Sequence, residues 1–133
     1  MSTHDFKHDL IVLPVKPFSV NDAWKGRRFR TDEYDAYHLH IKLILPKRIV
    51  IPKGRLMIVF DFYFSSKTSD WDNPIKPLQD IICATYGLND NNIYTGIVRK
   101  FIVKKGEERT EFRLYEFTEE NQAIISDCIN NLK

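Results

Sequence analysis

Within one short stretch, Asp70-Trp71-Asp72-Asn73-Pro74-Ile75-Lys76-Pro77-Leu78-Gln79-Asp80, the chain collects three carboxylates and a lysine, and Asp90 follows soon after Gly87. Two carboxylates two residues apart on an extended segment point to the same side and can share a cation. A hard ion such as magnesium takes oxygen ligands, keeps several waters and is completed by substrate phosphate, so Asp70, Asp72 and Asp90 form a candidate ligand set. Lys76, near a helix N-terminus where the dipole also favours anions, suits a scissile phosphate or the charge that develops on it. Asp80, four residues on, can pair with Lys76 and orient it, a contact worth about 0.2–0.5 kcal/mol when exposed. The chemistry suggested is metal-assisted phosphodiester hydrolysis. The same residues also read as a polar loop capping a helix, with Asp72 or Asn73 as N-cap. A calcium loop of the EF-hand kind is excluded, because Ile75 stands where the turn glycine is required and Ile81 where the bidentate acid is required.

The elements that must position these groups follow from periodicity. Asp9 to Lys16 reads as a first strand, with Pro14 marking an edge or a bulge. The loop from Asn21 to Arg30 carries Asn21, Trp24, Lys25, Arg27, Arg28, Phe29 and Arg30. Cations interleaved with aromatics suit a nucleic-acid backbone and exposed bases; the equal alternative is a solvated loop with Trp24 and Phe29 in the core. Thr31 caps a helix running to about Leu45, with Tyr34, Tyr37, Ile41 and Ile44 on its inward stripe. Ile49 to Ile51 reads as a short strand. Leu56 to Phe64 is the strongest strand, apolar enough to be covered on both faces and therefore central. Asp61 interrupts it, and a paired or solvent-facing carboxylate is the better reading than a metal ligand.

After the polar linker Ser65 to Ser69, a helix starts between Asn73 and Ile75. Ile75, Leu78, Ile81, Ile82 and Tyr86 fall in one arc of about 140°, with Lys76 and Asp80 opposite. Gly87 is a natural stop. Ile93 to Lys104 and Arg109 to Phe117 read as a hairpin turning at 105–108. A last helix, about 118–131, begins at Thr118 and carries no evident chemistry. The expected order is strand, helix, strand, helix, hairpin, helix: an α/β (α+β) fold with a small mixed sheet. A strand end, a helix start and a strand start are expected at one sheet edge, where Asp70, Asp72, Lys76 and Asp90 converge.

At 133 residues and 43% hydrophobic content the chain suits a single domain with its own core. No apolar run approaches the roughly 20 residues of a membrane span, and the polar start does not read as a secretory signal, so a cytoplasmic location is expected. Cys83 and Cys128 lack zinc-site spacing and read as reduced thiols. Neither the His4 and His8 pair nor His38 and His40 makes a metal site by spacing. Net charge is only +2, but its distribution matters more: cations gather at 25–30 and acids around 70–90.

The pattern Asp70-x-Asp72-Asn73-x-x-Lys76-x-x-x-Asp80, followed by Gly87 and Asp90-x-x-Ile93, closely resembles the signature of the RusA family of Holliday-junction resolvases. Pro17-Phe18-Ser19-Val20-Asn21-x-x-Trp24 is similar to that family's opening segment, so the resemblance covers roughly residues 9–117. It implies a homodimeric, magnesium-dependent endonuclease that nicks two opposed strands of a four-way DNA junction, in recombination and repair. Asp70, Asp72 and Asp90 would be the catalytic metal-binding acids and Lys76 the essential lysine. The family often has Asp-Asp where this chain has Asn89-Asp90, which lowers the local negative charge. The expectation is an endodeoxyribonuclease with DNA contacts from Asn21, Trp24, Lys25, Arg27, Arg28, Arg30 and Asn73. Its rivals are a junction-binding protein without cleavage and a phosphohydrolase acting on other branched DNA or nucleotides.

Overall fold

The computed structural model describes residues 10–18, 24–25 and 29–130, with side chains for 10–18 and 31–127. Strand β1 is Ile11–Leu13, and a minimal two-stranded ribbon joins β2 (Trp24–Lys25) to β3 (Phe29–Arg30). Helix α1 (Asp32–Ile44), strand β4 (Leu56–Phe64) and helix α2 (Ile75–Tyr86) follow. A 3-10 turn (Asp90–Asn92) leads into β5 (Ile93–Ile102), then β6 (Arg109–Glu116) and helix α3 (Glu119–Asn130). The main sheet runs β1-β6-β4-β5, with β4 parallel to β5 and antiparallel to β6. The α/β expectation holds as a four-stranded mixed sheet with helices packed on it.

The central place of β4 follows from its composition. Its side chains alternate between two apolar layers, so both its edges need partner strands and both its faces need cover. On one face Ile58, Phe60, Phe62 and Phe64 join Phe112 and Leu114 and pack against Tyr37, Ile41, Leu78, Ile81 and Ile82 of α1 and α2. On the other, Met57, Val59 and Tyr115 pack against Ile125 of α3. The Thr31 hydroxyl accepts the Tyr34 N–H at 3.1 Å, so α1 starts where its sequence predicts. Thr31→Ala should lower stability by about 1 kcal/mol, read as a shift in the urea unfolding midpoint with an unchanged slope.

Three expectations change. The first strand is shorter than 9–16 and pairs Ile11 with Phe112 at the sheet's edge. Ile49 to Ile51 forms no strand, and Val50 stays exposed; the segment is short, and Pro52 directly after it has no backbone N–H to give a ladder. The expected hairpin is also absent: β5 and β6 lie on opposite sides of β4. The connection 103–108 passes over the end of β4, tied to it where Val103 donates to the Phe64 carbonyl at 2.7 Å, and Gly106 takes the positive φ of 99° that its turn needs. Burying β4 between two neighbours wins over the local pairing that loop length alone suggests.

Asp61 is 2% exposed, on the α3 face. Arg99 chelates it through Nε at 2.7 Å and Nη2 at 2.6 Å, and Arg113 adds a contact at 3.5 Å. It is the paired carboxylate of the sequence reading, remote in role from the acid loop. Next to it Tyr63 stacks on Phe101 with ring centroids 4.7 Å apart, and the Arg109 guanidinium lies 3.7 Å over Tyr63. Among the described residues no helix is long and apolar enough to cross a membrane.

Candidate active site on the loop and helix after the central strand

The linker after β4 is held at three points. The Ser65 hydroxyl donates to Glu108 at 2.8 Å, and Lys100 Nζ donates to the Lys67 carbonyl at 2.9 Å and to that of Ser69. Lys100 thereby fixes the residue immediately before Asp70. Sequence reading missed this role; the signal for it was parity, since the even positions of β5 share the face on which the linker runs.

Asp70 and Asp72 are both exposed, as is Trp71 between them. Asn73 Nδ2 donates to Asp70 Oδ2 at 3.1 Å, which leaves Asp72 and the remaining Asp70 oxygen facing solvent. Pro74, not Asp72 or Asn73, occupies the N-cap, with no side-chain cap bond, so Asp72 is not spent on capping. Pro77 sits in the first turn of α2, where its missing N–H costs nothing, and is buried with Leu78, Ile81 and Ile82. Beside the loop opens a cleft of about 370 Å³ lined by Lys16, Pro17, Phe64, Thr68, Ser69, Asp70, Asn73 and Pro74. Lys16 brings a cation to it that the sequence motifs did not single out.

On the outer face of α2 Lys76 Nζ donates to Asp80 Oδ1 at 2.9 Å. The Lys76 pKa is raised above 10.5, first by the Asp80 hydrogen bond and, against an opposing desolvation, by the charges of Asp80 and Asp90. The ammonium form is therefore held through the neutral range and lost only as pH climbs past 10.5. Asp80→Asn should move the Lys76 titration down toward 10.5, as followed by NMR of its ε-methylene. Cys83 is a half-buried free thiol whose pKa is raised, chiefly by burial and then by Asp90 and Asp80, which keeps it a poor nucleophile. The side chain of Cys128 lies outside the described residues.

The structure does not gather all the acids that the sequence singles out. Because β4 and β5 are parallel, with Leu56 opposite Ile93 and Phe64 opposite Ile102, the end of β4 and the start of β5 lie at opposite ends of the strands. Asp70 and Asp72 leave from the Phe64 end. Asp90 sits at the Leu56 end, past the α2 stop at Gly87 with φ 67°, and the exposed Asn89 accepts the Asn91 N–H through its side chain. A helix of this length spans about 18 Å. The oxygen-donor chemistry of Asp70 and Asp72 fits a hard divalent cation, but among the described residues no three His, Cys, Asp or Glu come together closely enough to hold one. Asn21, Arg27 and Arg28 lie outside the described residues; Trp24, Lys25 and Arg30 are described only as backbone of the β2–β3 ribbon.

No family model matches the chain, and no curated protein matches it either. Among solved structures it is similar to the periplasmic domain of Helicobacter pylori MotB (residues 97-256), at 15% identity, over 93% of this chain and 92% of that one, with a TM-score of 0.39.

Proposed function

We propose that the chain is a magnesium-dependent endodeoxyribonuclease that cuts branched DNA, with four-way junctions as substrate and the loop from Asp70 to Asn73 as its reacting end. The observation that carries this reading is the state of Asp70 and Asp72: two carboxylates on one exposed loop, neither used as a helix cap nor neutralised by an ion pair among the described residues, next to a cleft that also takes in Lys16. Magnesium is commonly held by one or two carboxylates plus substrate phosphate, so these two suffice to begin a site. A bound magnesium supplies Lewis acidity toward the phosphate and a water of lowered pKa. The chain's own residues orient and neutralise: Asn73 holds Asp70, Asp80 holds Lys76, and the Lys76 ammonium offsets phosphate charge at the start of α2. The basic segment 25–30 supports the reading through its sequence, as backbone contacts for DNA.

The separation of Asp90 from Asp70 and Asp72 favours a second reading, a junction-binding protein that does not cut. Nicking of four-way, forked and plain duplex DNA separates the two. The nuclease reading expects paired nicks in the four-way junction ahead of the other substrates; binding of that junction with no nick in any substrate supports the second reading. In either case Arg27→Ala with Arg28→Ala should weaken binding and flatten its dependence on salt.

A further inference from the structure

Trp71 stands between the two carboxylates of the acid loop, and 54% of it is exposed. Among the described residues one other aromatic, Tyr94, is as open to water. Tyr94 leans on Phe117, with ring centroids 5.5 Å apart, and lies under the Arg55 guanidinium at 5.1 Å. Trp71 has no such support: among the described residues no ring stacks on it, no cation covers it and its indole N–H has no acceptor. Aromatic side chains dominate the energetics of cores and interfaces through the area they bury, so a tryptophan held out in water leaves that stabilisation unused. Nor does the ring ride on a free loop. Lys100 holds the Ser69 carbonyl before it, Asn73 holds Asp70 at 3.1 Å, and the Asp72 carbonyl accepts the Ile75 N–H at 3.1 Å after it. A turn tied on both sides presents the indole with its backbone already ordered, which lowers the entropy cost of binding.

We propose that Trp71 is the stacking platform for one unstacked base of the DNA, so that the accessible bases at a branch point are what the site reads. Successive Cα atoms are about 3.8 Å apart and successive bases of a stacked strand about 3.4 Å. A phosphate brought to Asp70 and Asp72 therefore carries its own base, or the next, to the indole. Exposed Lys16 borders the adjoining cleft, and exposed Lys67 and Lys76 flank the loop in the chain, which offers the strand's phosphates cations on both sides. A base inside a duplex has both faces covered by its neighbours, and taking it out of the stack is costly, least so where it is mismatched or single-stranded. Every base has a π-face, so such a platform tolerates any sequence but responds to stacking state. A protein surface is a poorer occupant, because it would have to desolvate the carboxylates on either side of the ring. The placing of that base beside the cut phosphate rests on the nuclease reading, whereas the stacking needs only that DNA is bound.

Equilibrium binding tests this on a four-way junction, a single-stranded oligothymidine and a plain duplex, followed by anisotropy of labelled DNA with a chelator present so that nothing is cut. Trp71→Ala should weaken binding of the junction and the oligothymidine by about 5- to 100-fold and leave the duplex within about twofold. Trp71→Phe, which keeps a π-face, should restore most of the loss; Trp71→Leu, which keeps only apolar bulk, should not. Because the ring is exposed, all three variants should unfold at the wild-type urea midpoint. Trp24→Phe leaves Trp71 as the single tryptophan, and its emission should then be quenched by the junction and the oligothymidine but not by the duplex. Junction binding unchanged in Trp71→Ala, an equal loss on the duplex, or full recovery in Trp71→Leu overturns the stacking. So does emission that responds to protein concentration alone, which would place a second copy over the ring, and so does a chain that binds none of the three DNAs. Nicking in magnesium is read separately. Stacking as described with no nick in any substrate overturns the nuclease reading alone; paired nicks in the junction with Trp71→Ala binding it as the wild type does overturn the platform alone.

Discussion

Asp72→Asn should abolish nicking of a four-way junction while leaving junction binding intact. The substitution keeps the size of the side chain and its place on an exposed loop, where it makes no contact that the fold depends on. It removes one of two negative oxygen donors. Losing even an outer partner of a metal site costs about 10–100-fold, and a direct ligand should cost about 100-fold or more. Gel-shift titration and single-turnover nicking on the same junction separate the two quantities. Nicking at the wild-type rate would take Asp72 out of the reaction; lost binding with lost nicking would place it on the DNA surface instead. Asp70→Asn should behave alike, with the added loss of a charge-assisted bond from Asn73.

The largest effect on stability should come from Asp61→Ala, at about 3–5 kcal/mol. The carboxylate is almost fully buried and is chelated by Arg99, with Arg113 beside it. Removing it leaves two arginines, each about one-fifth exposed, facing one another without their counter-charge. The partial exposure of both guanidiniums puts the expected value near the lower end of that range. A double-mutant cycle with Arg99→Ala, read by urea unfolding, should show strong coupling, because the second substitution removes the charge that the first strands. Nicking measured well below the unfolding transition should be unaffected, which keeps this carboxylate distinct from those of the acid loop.

How far the sequence discloses these features depends on whether the deciding contact is local. The start of α1 is legible because Thr31 and Tyr34 are neighbours on one turn, and the inward stripe of Tyr34, Tyr37 and Ile41 is a matter of period. The same holds for Leu78, Ile81 and Ile82 on α2 and for β4, whose unbroken apolar run requires burial on both sides. Strand pairing is not local. The loop 103–108 has hairpin length, yet β4 occupies the place between β5 and β6, because an apolar strand gains more from two neighbours than the loop gains from closing.

Asp90 illustrates the same point at the candidate site. Its spacing from Asp70 suggests convergence, but the parallel pairing of β4 and β5 carries the start of β5 to the other end of the strands. Nothing in the local pattern reports that direction; it follows from the crossover through α2. Asp61, Arg99 and Arg113 are likewise far apart in sequence and meet only because their strands are adjacent. By contrast, the Lys76 and Asp80 pair was legible, since four residues on a helix bring two side chains together.

The most direct measurement is single-turnover nicking of one four-way junction by the intact chain, with magnesium and with a chelator in its place. Paired nicks that appear with magnesium and vanish with the chelator, while the junction stays bound in both, are the predicted result. A junction bound equally well but never nicked in magnesium would contradict the assignment of Asp70 and Asp72 to catalysis.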